Sequence, residues 1–171
     1  MANTYKLISS NVLSSSAASV TFSAIPSTYT DLALRWSARS TYSSAGASWL
    51  YLTFNATTTG FSTTLLENAF GTVQSQSFAN ASNIYAGQIP NLSYGSNIFG
   101  TGEYYIPAYT ASQNKPISIS EVLEQNSASG YISANAALWR NTAAITSLTL
   151  TPEFGSLASG SSFYLYGIKN S

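Results

Sequence analysis

The chain has 171 residues, six basic and six acidic side chains, and neither cysteine nor histidine. These counts exclude disulfides, thiolate nucleophiles, imidazole bases and metal sites built from cysteine or histidine. The balanced charge gives no attraction to nucleic acid or to an anionic membrane, and charged residues are only 7% of the chain, against about 25% in ordinary globular domains. Because a net charge of zero gives little repulsion between copies, we expect monomers to associate.

The length and a hydrophobic fraction of 44% are sufficient for one domain over residues 1–171 with a sizeable core. Residues 1–6 lack the apolar region of a secretory signal, and the sequence holds no run of about 18 apolar residues. We therefore expect one folded domain without a membrane-spanning segment.

Alternating apolar residues predict strands in the first part of the chain. The predicted strands are 5–8, 19–25, 31–39, 49–54 and 61–66, with a hairpin loop over 55–60. In the second of them, Val20, Phe22 and Ala24 share one face. In the fourth, Trp49 and Tyr51 make the side opposite the core apolar as well. We expect that side to meet another subunit or a covering loop.

The middle of the chain, residues 67–97, is rich in Ser, Asn, Gly and Gln, which predicts irregular loops with one or two short strands. Regular signals return in the second part, with strands predicted over 97–107, 115–125, 130–139, 145–151 and 163–168. The alanine-rich stretch 133–139 has some helical character, but its Tyr-Ile start and flanking Gly and Ser favour a strand. About nine or ten short strands separated by turns indicate an all-β sandwich or barrel.

The last predicted strand is apolar on both faces. Phe163 and Leu165 are expected to face the core, and the other side carries Tyr164, Tyr166 and Ile168. Such a strand is best placed in the middle of a sheet or against a neighbouring subunit. Gly167 indicates a bulge or a close approach of the backbone to another group.

Several strand-and-turn motifs stand in a fixed order near the two ends of the chain. They are YKLISS from residue 5, SAR ending at residue 39, YIPAYT from 105, NKPIS from 114, WRNTAAITSL from 139 and GSSFYLYGIK from 160. In their order and joint presence they resemble a group of virion structural proteins of tailed bacteriophages, especially cyanophages and other marine phages. The resemblance covers the first forty residues and most of the last seventy, and it leaves residues 41–97 unmatched.

This resemblance implies an antiparallel, jelly-roll-like β-sandwich of about eight to ten strands that is exposed on a capsid or a tail. It supplies no catalytic residues. The expected function is that of a capsid decoration (cement) protein, a homotrimer that binds the major capsid protein or other virion proteins on the outer head. The alternative is a tail or fibre component that binds a host-surface polysaccharide. In both cases the protein is made in the host cytoplasm and ends in the virion.

The sequence gives no support for an enzyme. A serine nucleophile needs a base, and Lys6, Lys115 and Lys169 are expected to be solvated at strand edges or ends. Glu121 and Glu124 are three residues apart on a predicted strand, so they should point to opposite faces. The other glutamates are expected to be charges at strand ends and loops, namely Glu67, Glu103 and Glu153. We therefore expect no catalytic residue, no cofactor and no metal site.

Two groups of residues are candidates for contacts. Asp31, Arg35 and Arg39 share one strand face, either as an ion-pair row of low net value or as a row that fixes the register between subunits. Six aromatic residues either stack on sugars or fill the core and subunit contacts, namely Trp49, Tyr51, Tyr85, Tyr94, Tyr104 and Tyr109. The residues expected to contact the shell or a second subunit are Arg35, Arg39, Trp49, Tyr51, Tyr164, Tyr166 and Ile168.

Overall fold

The computed structural model describes residues 4–44, 46–126 and 130–169. Within these ranges twelve antiparallel strands form a sheet of eight strands and a sheet of four. In chain order the strands are β1 (Tyr5–Val12), β2 (Val20–Phe22), β3 (Asp31–Ala38), β4 (Ser48–Phe54), β5 (Phe61–Ala69), β6 (Thr72–Ala81), β7 (Ile84–Ile89), β8 (Gly100–Ile106), β9 (Lys115–Leu123), β10 (Tyr131–Trp139), β11 (Leu148–Pro152) and β12 (Ser162–Ile168).

Eight of the strands form a jelly roll. β1 pairs with β12, β2 with β11, β3 with β8 and β4 with β7, as in an antiparallel ribbon that has been rolled up. The rolled ribbon places β1-β12-β3-β8 in one sheet and β2-β11-β4-β7 in the other. The predicted all-β, antiparallel, jelly-roll-like sandwich is thereby confirmed.

The remaining four strands are two hairpins inserted into this ribbon. β5–β6 lies between β4 and β7 in the chain, and β9–β10 lies between β8 and β11. β9 pairs with β8, and β10 pairs with β5, so the hairpins meet each other and extend the first sheet to the order β1-β12-β3-β8-β9-β10-β5-β6. The larger sheet therefore continues beyond the edge of the smaller one.

The expected loop-rich segment at 67–97 is wrong for most of its length. The end of β5, all of β6 and all of β7 occupy residues 67–69, 72–81 and 84–89. β6 is an edge strand that is largely exposed on both faces, so its sequence shows no apolar alternation, and only its pairing with β5 makes it a strand. The irregular stretch is confined to residues between β7 and β8, which include a short 3₁₀ turn, Leu92–Tyr94.

The second predicted strand is also too long. β2 ends at Phe22, and Ala24 is exposed with a φ of 53°, so it lies in a turn and does not share the core face with Val20. Ile25 still reaches the core beyond the turn. By contrast, the alanine-rich stretch near residue 133 is a strand, β10, as its flanking residues indicated.

The core lies between the inner faces of the two sheets. Alternate residues of β3 are fully buried there, from Leu32 to Ala38. Near the inserted hairpins, Trp139 stacks on Phe61 with ring centroids 6.2 Å apart and tilts against Phe54 at 5.5 Å. These large rings join the jelly roll to the extension of the sheet, since Phe54 belongs to β4 and the other two belong to β5 and β10.

The last strand lies inside the larger sheet, between β1 and β3. Phe163 and Leu165 are fully buried in the core, as predicted. A Cβ atom added at Gly167 would meet the ring of Tyr29 far inside van der Waals distance. The predicted close approach is therefore confirmed, and its cause is an aromatic ring packed flat against the backbone of β12.

We expect Gly167→Ala to destabilise the fold by about 1–3 kcal/mol, because the added methyl group must displace the ring of Tyr29. In a Tyr29→Ala background the same change should cost about 0.5 kcal/mol or less, since the space is then open. Urea unfolding of the four proteins measures both costs. Equal costs in the two backgrounds would contradict this steric explanation.

Candidate functional site

The outer face of the eight-stranded sheet, which points away from the core, is the candidate site. Strand register places Val73, Asn68, Ile132 and Val122 side by side across β6, β5, β10 and β9. Leu66 lies in the next row. We call the four apolar side chains among these residues the outer patch. Their exposed fractions are 57% for Leu66, 70% for Val73, 44% for Val122 and 57% for Ile132.

The outer patch is concave. It borders a depression of about 720 Å³ whose walls also include Glu103, Ser120 and Ala134. Single exposed apolar side chains are ordinary in proteins, whereas a contiguous group of them is a candidate surface for binding another molecule. The depression is open and lined mainly by aliphatic carbon, so its chemistry suits a protein surface better than a small polar ligand.

One ion pair stands beside the outer patch. The Nε of Arg35 donates to Oε2 of Glu103 at 2.5 Å, and the hydrogen bond to this carboxylate raises the pKa of the guanidinium. The guanidinium carbon also lies 5.7 Å from the ring centre of Tyr5 and 5.8 Å from that of Tyr166. Because the side chains are 54% and 39% exposed, the pair contributes about 1 kcal/mol or less to stability.

The expected ion-pair row is not formed. Arg35 pairs with Glu103 on the neighbouring strand, while Asp31 is buried and accepts hydrogen bonds from the hydroxyl of Tyr105 and the amide of Ala108. Arg39 lies one residue beyond the end of β3. The three residues therefore serve three separate contacts, because the strand ends before its alternation reaches the last of them.

Arg39 is a buried anchor and not a surface contact. Its Nη1 donates to the carbonyl oxygens of Gly95 at 2.5 Å and Ile98 at 3.2 Å, in the segment that connects β7 with β8. Burial lowers the pKa of the guanidinium. The predicted role of Arg39 at a subunit or shell contact has no exposed group to support it, since only 5% of the residue is accessible.

Lys115 is also buried, although it was expected to be solvated at a strand end. It does begin β9, but its Nζ turns inward and donates to the carbonyl oxygens of Ala111 at 2.7 Å and Asn141 at 3.5 Å. Burial lowers the pKa of this amine. The lysine thus satisfies the carbonyl groups of two loops beneath it.

Trp49 and Tyr51 lie on the opposite side of the molecule, on the outer face of the smaller sheet. Both meet the ring of Tyr85 edge-on, with centroids 5.4 and 5.3 Å apart, and Tyr85 stacks on Phe78 at 3.8 Å. All four side chains are half-buried. The apolar outer side of β4 is thus covered in part by β6 and β7 of the same chain.

The three predicted contact residues of β12 differ in their exposure. Tyr164 lies opposite Arg35 in the sheet, and Tyr166 meets Tyr5 edge-on at 6.4 Å, so both face outward and are half-buried. Ile168 is 96% buried, since only 4% of it is accessible. Of the predicted contact residues, Arg35 and the two tyrosines of β12 share the outer face of the larger sheet.

Three of the aromatic residues considered for sugar stacking fill the interior. Tyr104 and Tyr109 have no accessible surface, and Tyr94 has 6%. Burial raises the pKa of the Tyr104 hydroxyl far above its usual range. Core packing therefore accounts for these three rings, while Trp49, Tyr51 and Tyr85 remain partly accessible.

A buried polar row was missed at the sequence level. Thr63, Glu121 and Asn135, on β5, β9 and β10, point inward to the free edge of β7. The Thr63 hydroxyl accepts from the amide of Tyr85 at 3.2 Å, and the carbonyl oxygen of Tyr85 accepts from Nδ2 of Asn135 at 3.5 Å. The Glu121 carboxylate accepts a short hydrogen bond from the amide of Gln88. These side chains therefore close the edge of the smaller sheet.

Glu121 and Glu67 are both buried, and for Glu67 this corrects the expectation of a charge at a strand end or loop. Glu121 also accepts from the Ser133 hydroxyl at 2.8 Å, while Oε1 of Glu67 accepts from Gln74 at 2.6 Å. Burial, with a smaller contribution from the negative charge of Glu67, raises the pKa of Glu121 to about 7. The sequence did contain a sign of this burial. Glu121 lies two residues from Ile119, so the two side chains share the inward face of β9.

Gly87 permits this contact. It lies in β7 between Tyr85 and Gln88, where β7 has one residue more than β4, and its φ is 135°. A Cβ atom here would collide with the carboxylate of Glu121. The bulge and the glycine together bring the backbone of β7 within reach of a side chain from the other sheet.

Within residues 4–44, 46–126 and 130–169 there is no group of three or more acidic side chains arranged to hold a metal ion. The same part of the chain contains no helix that is long and apolar enough to cross a membrane. No family model, curated protein or solved structure matches the chain.

Glu121→Gln tests the buried carboxyl through the pH dependence of stability. Because the pKa rises from 4.5 to about 7 on folding, the folded protein holds an extra proton between these values. The free energy of unfolding should therefore fall as the pH rises through this range, by about 3 kcal/mol in total.

The Glu121→Gln variant should lose this pH dependence, since the amide keeps an acceptor for Gln88 and does not titrate. Urea unfolding between about pH 4.5 and about pH 8 measures the slope. Glu124→Gln, an exposed glutamate three residues away, is the matched control and should keep the slope of the unchanged protein. The same slope in all three proteins would refute the assignment.

Removal of Arg39, just beyond β3, should destabilise the protein more than removal of Arg35, within β3. Arg39→Ala leaves the carbonyl groups of Gly95 and Ile98 without their donor and should cost about 2–3 kcal/mol. Arg35→Ala removes an exposed pair and should cost about 1 kcal/mol or less. Chemical denaturation at one pH compares them, and an equal cost would show that Arg39 is not an anchor.

Proposed function

We propose that this chain is a structural protein of a tailed-phage virion, and that it decorates the outer surface of the head. The resemblance of its terminal motifs to virion structural proteins of such phages is one support for this proposal. The other is the outer patch, a contiguous apolar surface on a chain with little charge. The outer patch carries the proposal, because its apolar side chains are exposed to water in the isolated chain and would be buried by a bound partner.

The outer face of the larger sheet is the side that meets the shell in this proposal. Leu66, Val73, Val122 and Ile132 supply apolar area, and the Arg35–Glu103 pair lies at the border of the depression, where both charges already have a partner. Because each charge already has a partner, desolvation of the face costs less than it would with a lone charge. Binding only to the assembled shell stabilises that state by mass action.

The assembly state of the decoration protein stays a prediction. The sequence led us to expect a homotrimer at a symmetry axis, with the major capsid protein as partner. Tyr164 and Tyr166 remain half-exposed on the same outer face, so they extend the surface available to a partner toward β12. Such amphipathic rings are common in protein interfaces.

The second candidate function is a tail or fibre component that binds a host-surface polysaccharide. It relies on the partly accessible rings of Trp49, Tyr51 and Tyr85. Trp49 and Tyr51 each stand edge-on to Tyr85, and one face of Tyr85 is covered by Phe78. Since a sugar needs an open ring face, the geometry gives this candidate less support than the outer patch gives to decoration.

Binding to shells tests the proposal. Heads of the encoding phage, assembled without this protein, should bind the purified chain in a fixed ratio and melt at a higher temperature. Ile132→Asp places an unpaired charge in the outer patch and should weaken this binding about tenfold or more. Thr151→Asp, on the exposed side of the smaller sheet, is the matched control and should bind normally.

No binding to shells, together with selective binding to surface polysaccharides on a glycan array, would favour the tail or fibre candidate. Equal losses for Ile132→Asp and Thr151→Asp would show that the outer patch does not face the shell. Far-ultraviolet circular dichroism of both variants verifies that each remains folded.

A further inference from the structure

The four edges of the two sheets are treated differently in this molecule. An edge strand presents unpaired N–H and C=O groups, which another chain is able to pair with, and proteins usually protect such edges. The larger sheet ends at β1 and β6, and the smaller sheet ends at β2 and β7. The four edge strands differ in length, charge and regularity of pairing, and one of them is left open.

Both edges of the smaller sheet are protected. β2 has only three residues, so it offers a short template. The outward backbone groups of β7 are bound by side chains of the larger sheet, since Tyr85 contacts Thr63 and Asn135 and the amide of Gln88 contacts Glu121. Neither strand is available to a second chain.

The β1 edge is interrupted by charge and by irregular geometry. Lys6 lies near its start, and an edge lysine disfavours pairing with another strand. The register of β1 against β12 shifts between Leu7 and Ser9, which bends the strand. An incoming strand would therefore meet a positive charge and a kink within the first half of β1.

From Thr72 to Phe78, the β6 edge has none of these protections. β6 is ten residues long, Thr72–Ala81, and it contains no charged residue, no proline and no glycine. Eight of its ten residues are exposed. Its pairing with β5 is regular from Thr72 to Phe78, and the shift in register occurs only near Phe61 at the other end. The regular part is an uncharged template with unbroken pairing to β5.

We propose that β6 pairs antiparallel with β6 of a second copy of this chain, about a two-fold axis. The larger sheets of the two copies then form one continuous sheet across the interface. Pairing centred on Ser75 sets Gln74 against the partner subunit's Gln76, and these amides are able to both donate and accept. The strand carries no charge, so two copies do not repel each other there.

The outer face also favours this arrangement. Val73 belongs to both β6 and the outer patch, so a two-fold axis at β6 brings two outer patches toward each other on one side of the joined sheet. Val73 is the one residue that β6 shares with the outer patch, and this inference does not depend on the proposed function. A two-fold pair is a dimer, so this proposal is an alternative to the homotrimer expected from the sequence.

Ser75→Cys tests the pairing directly, because the chain contains no other cysteine. Residues opposite each other in an antiparallel pair have Cα atoms about 4.5–5.5 Å apart, within the range of disulfides. Mild oxidation of the full-length variant should convert most of it to a linked dimer. Ser118→Cys, exposed on the face of β9, and Ser10→Cys, exposed on β1, are the controls and should stay mostly monomeric in denaturing gels.

The mass in solution gives an independent measurement. Light scattering should find a dimer for the unchanged protein, a monomer for Ser75→Lys and a dimer for Ser118→Lys, since only the first lysine lies on the edge. Circular dichroism of the three proteins verifies that they are folded. A chain that stays monomeric at about 100 µM, or one that forms a trimer, would overturn the proposal.

A mixed experiment separates the two edges. When Ser75→Cys and Ser10→Cys are oxidised together, linked dimers of Ser75→Cys with itself support the two-fold arrangement. Linked pairs of one variant with the other would show head-to-tail association of β6 with β1, and that result would also overturn the proposal. Binding of the Ser75→Lys monomer to shells is measured separately, so a failure here is distinguishable from a failure of the decoration function.

Discussion

The pairing of β5 with β10 is the interaction on which the rest of this architecture depends. It joins two hairpins that are inserted at distant points of the chain, and it runs from Phe61↔Trp139 to Ala69↔Tyr131 without a break in register. Without this pairing the molecule would be a jelly roll with two separate hairpins at its margin. With it, the larger sheet extends past the smaller one and gains an outer face, an inner polar row and an open edge.

The same extension explains why one carboxyl group, that of Glu121, lies inside a protein with so few charges. The smaller sheet ends at β7, whose backbone groups would otherwise face the inner side of the extension without partners. Glu121 supplies an acceptor there, together with a hydroxyl from Thr63 and an amide from Asn135. Burial of a charged carboxyl is unfavourable, and so is burial of an unpaired backbone amide. The contact gives the amide its partner, and the raised pKa of Glu121 lessens the cost of its burial because the neutral form is more populated.

The fold class and ten of the strands could be predicted from the sequence, because all of those strands except β1 have one face in the core and show it by alternation. β6 could not be predicted in this way, since neither of its faces is buried. The candidate site was predicted only in part. Arg35 and Tyr166 lie on the outer face, but the patch around Ile132 and Val122 was not singled out, because single outward residues of a strand give no sign of their neighbours across the sheet.

The order of pairing in the rolled ribbon also has a consequence for the folding pathway. β4 and β7 are separated by one hairpin, whereas β1 and β12 are separated by almost the entire chain, with Tyr5 opposite Ile168. Because loop-closure entropy opposes distant contacts, we expect the two local hairpins to form first and the outermost pair to form last. The uncharged strand β6 is thus assembled on its hairpin well before the sandwich closes. At high concentration we therefore expect incompletely folded chains to associate through this strand, in competition with closure of the sandwich.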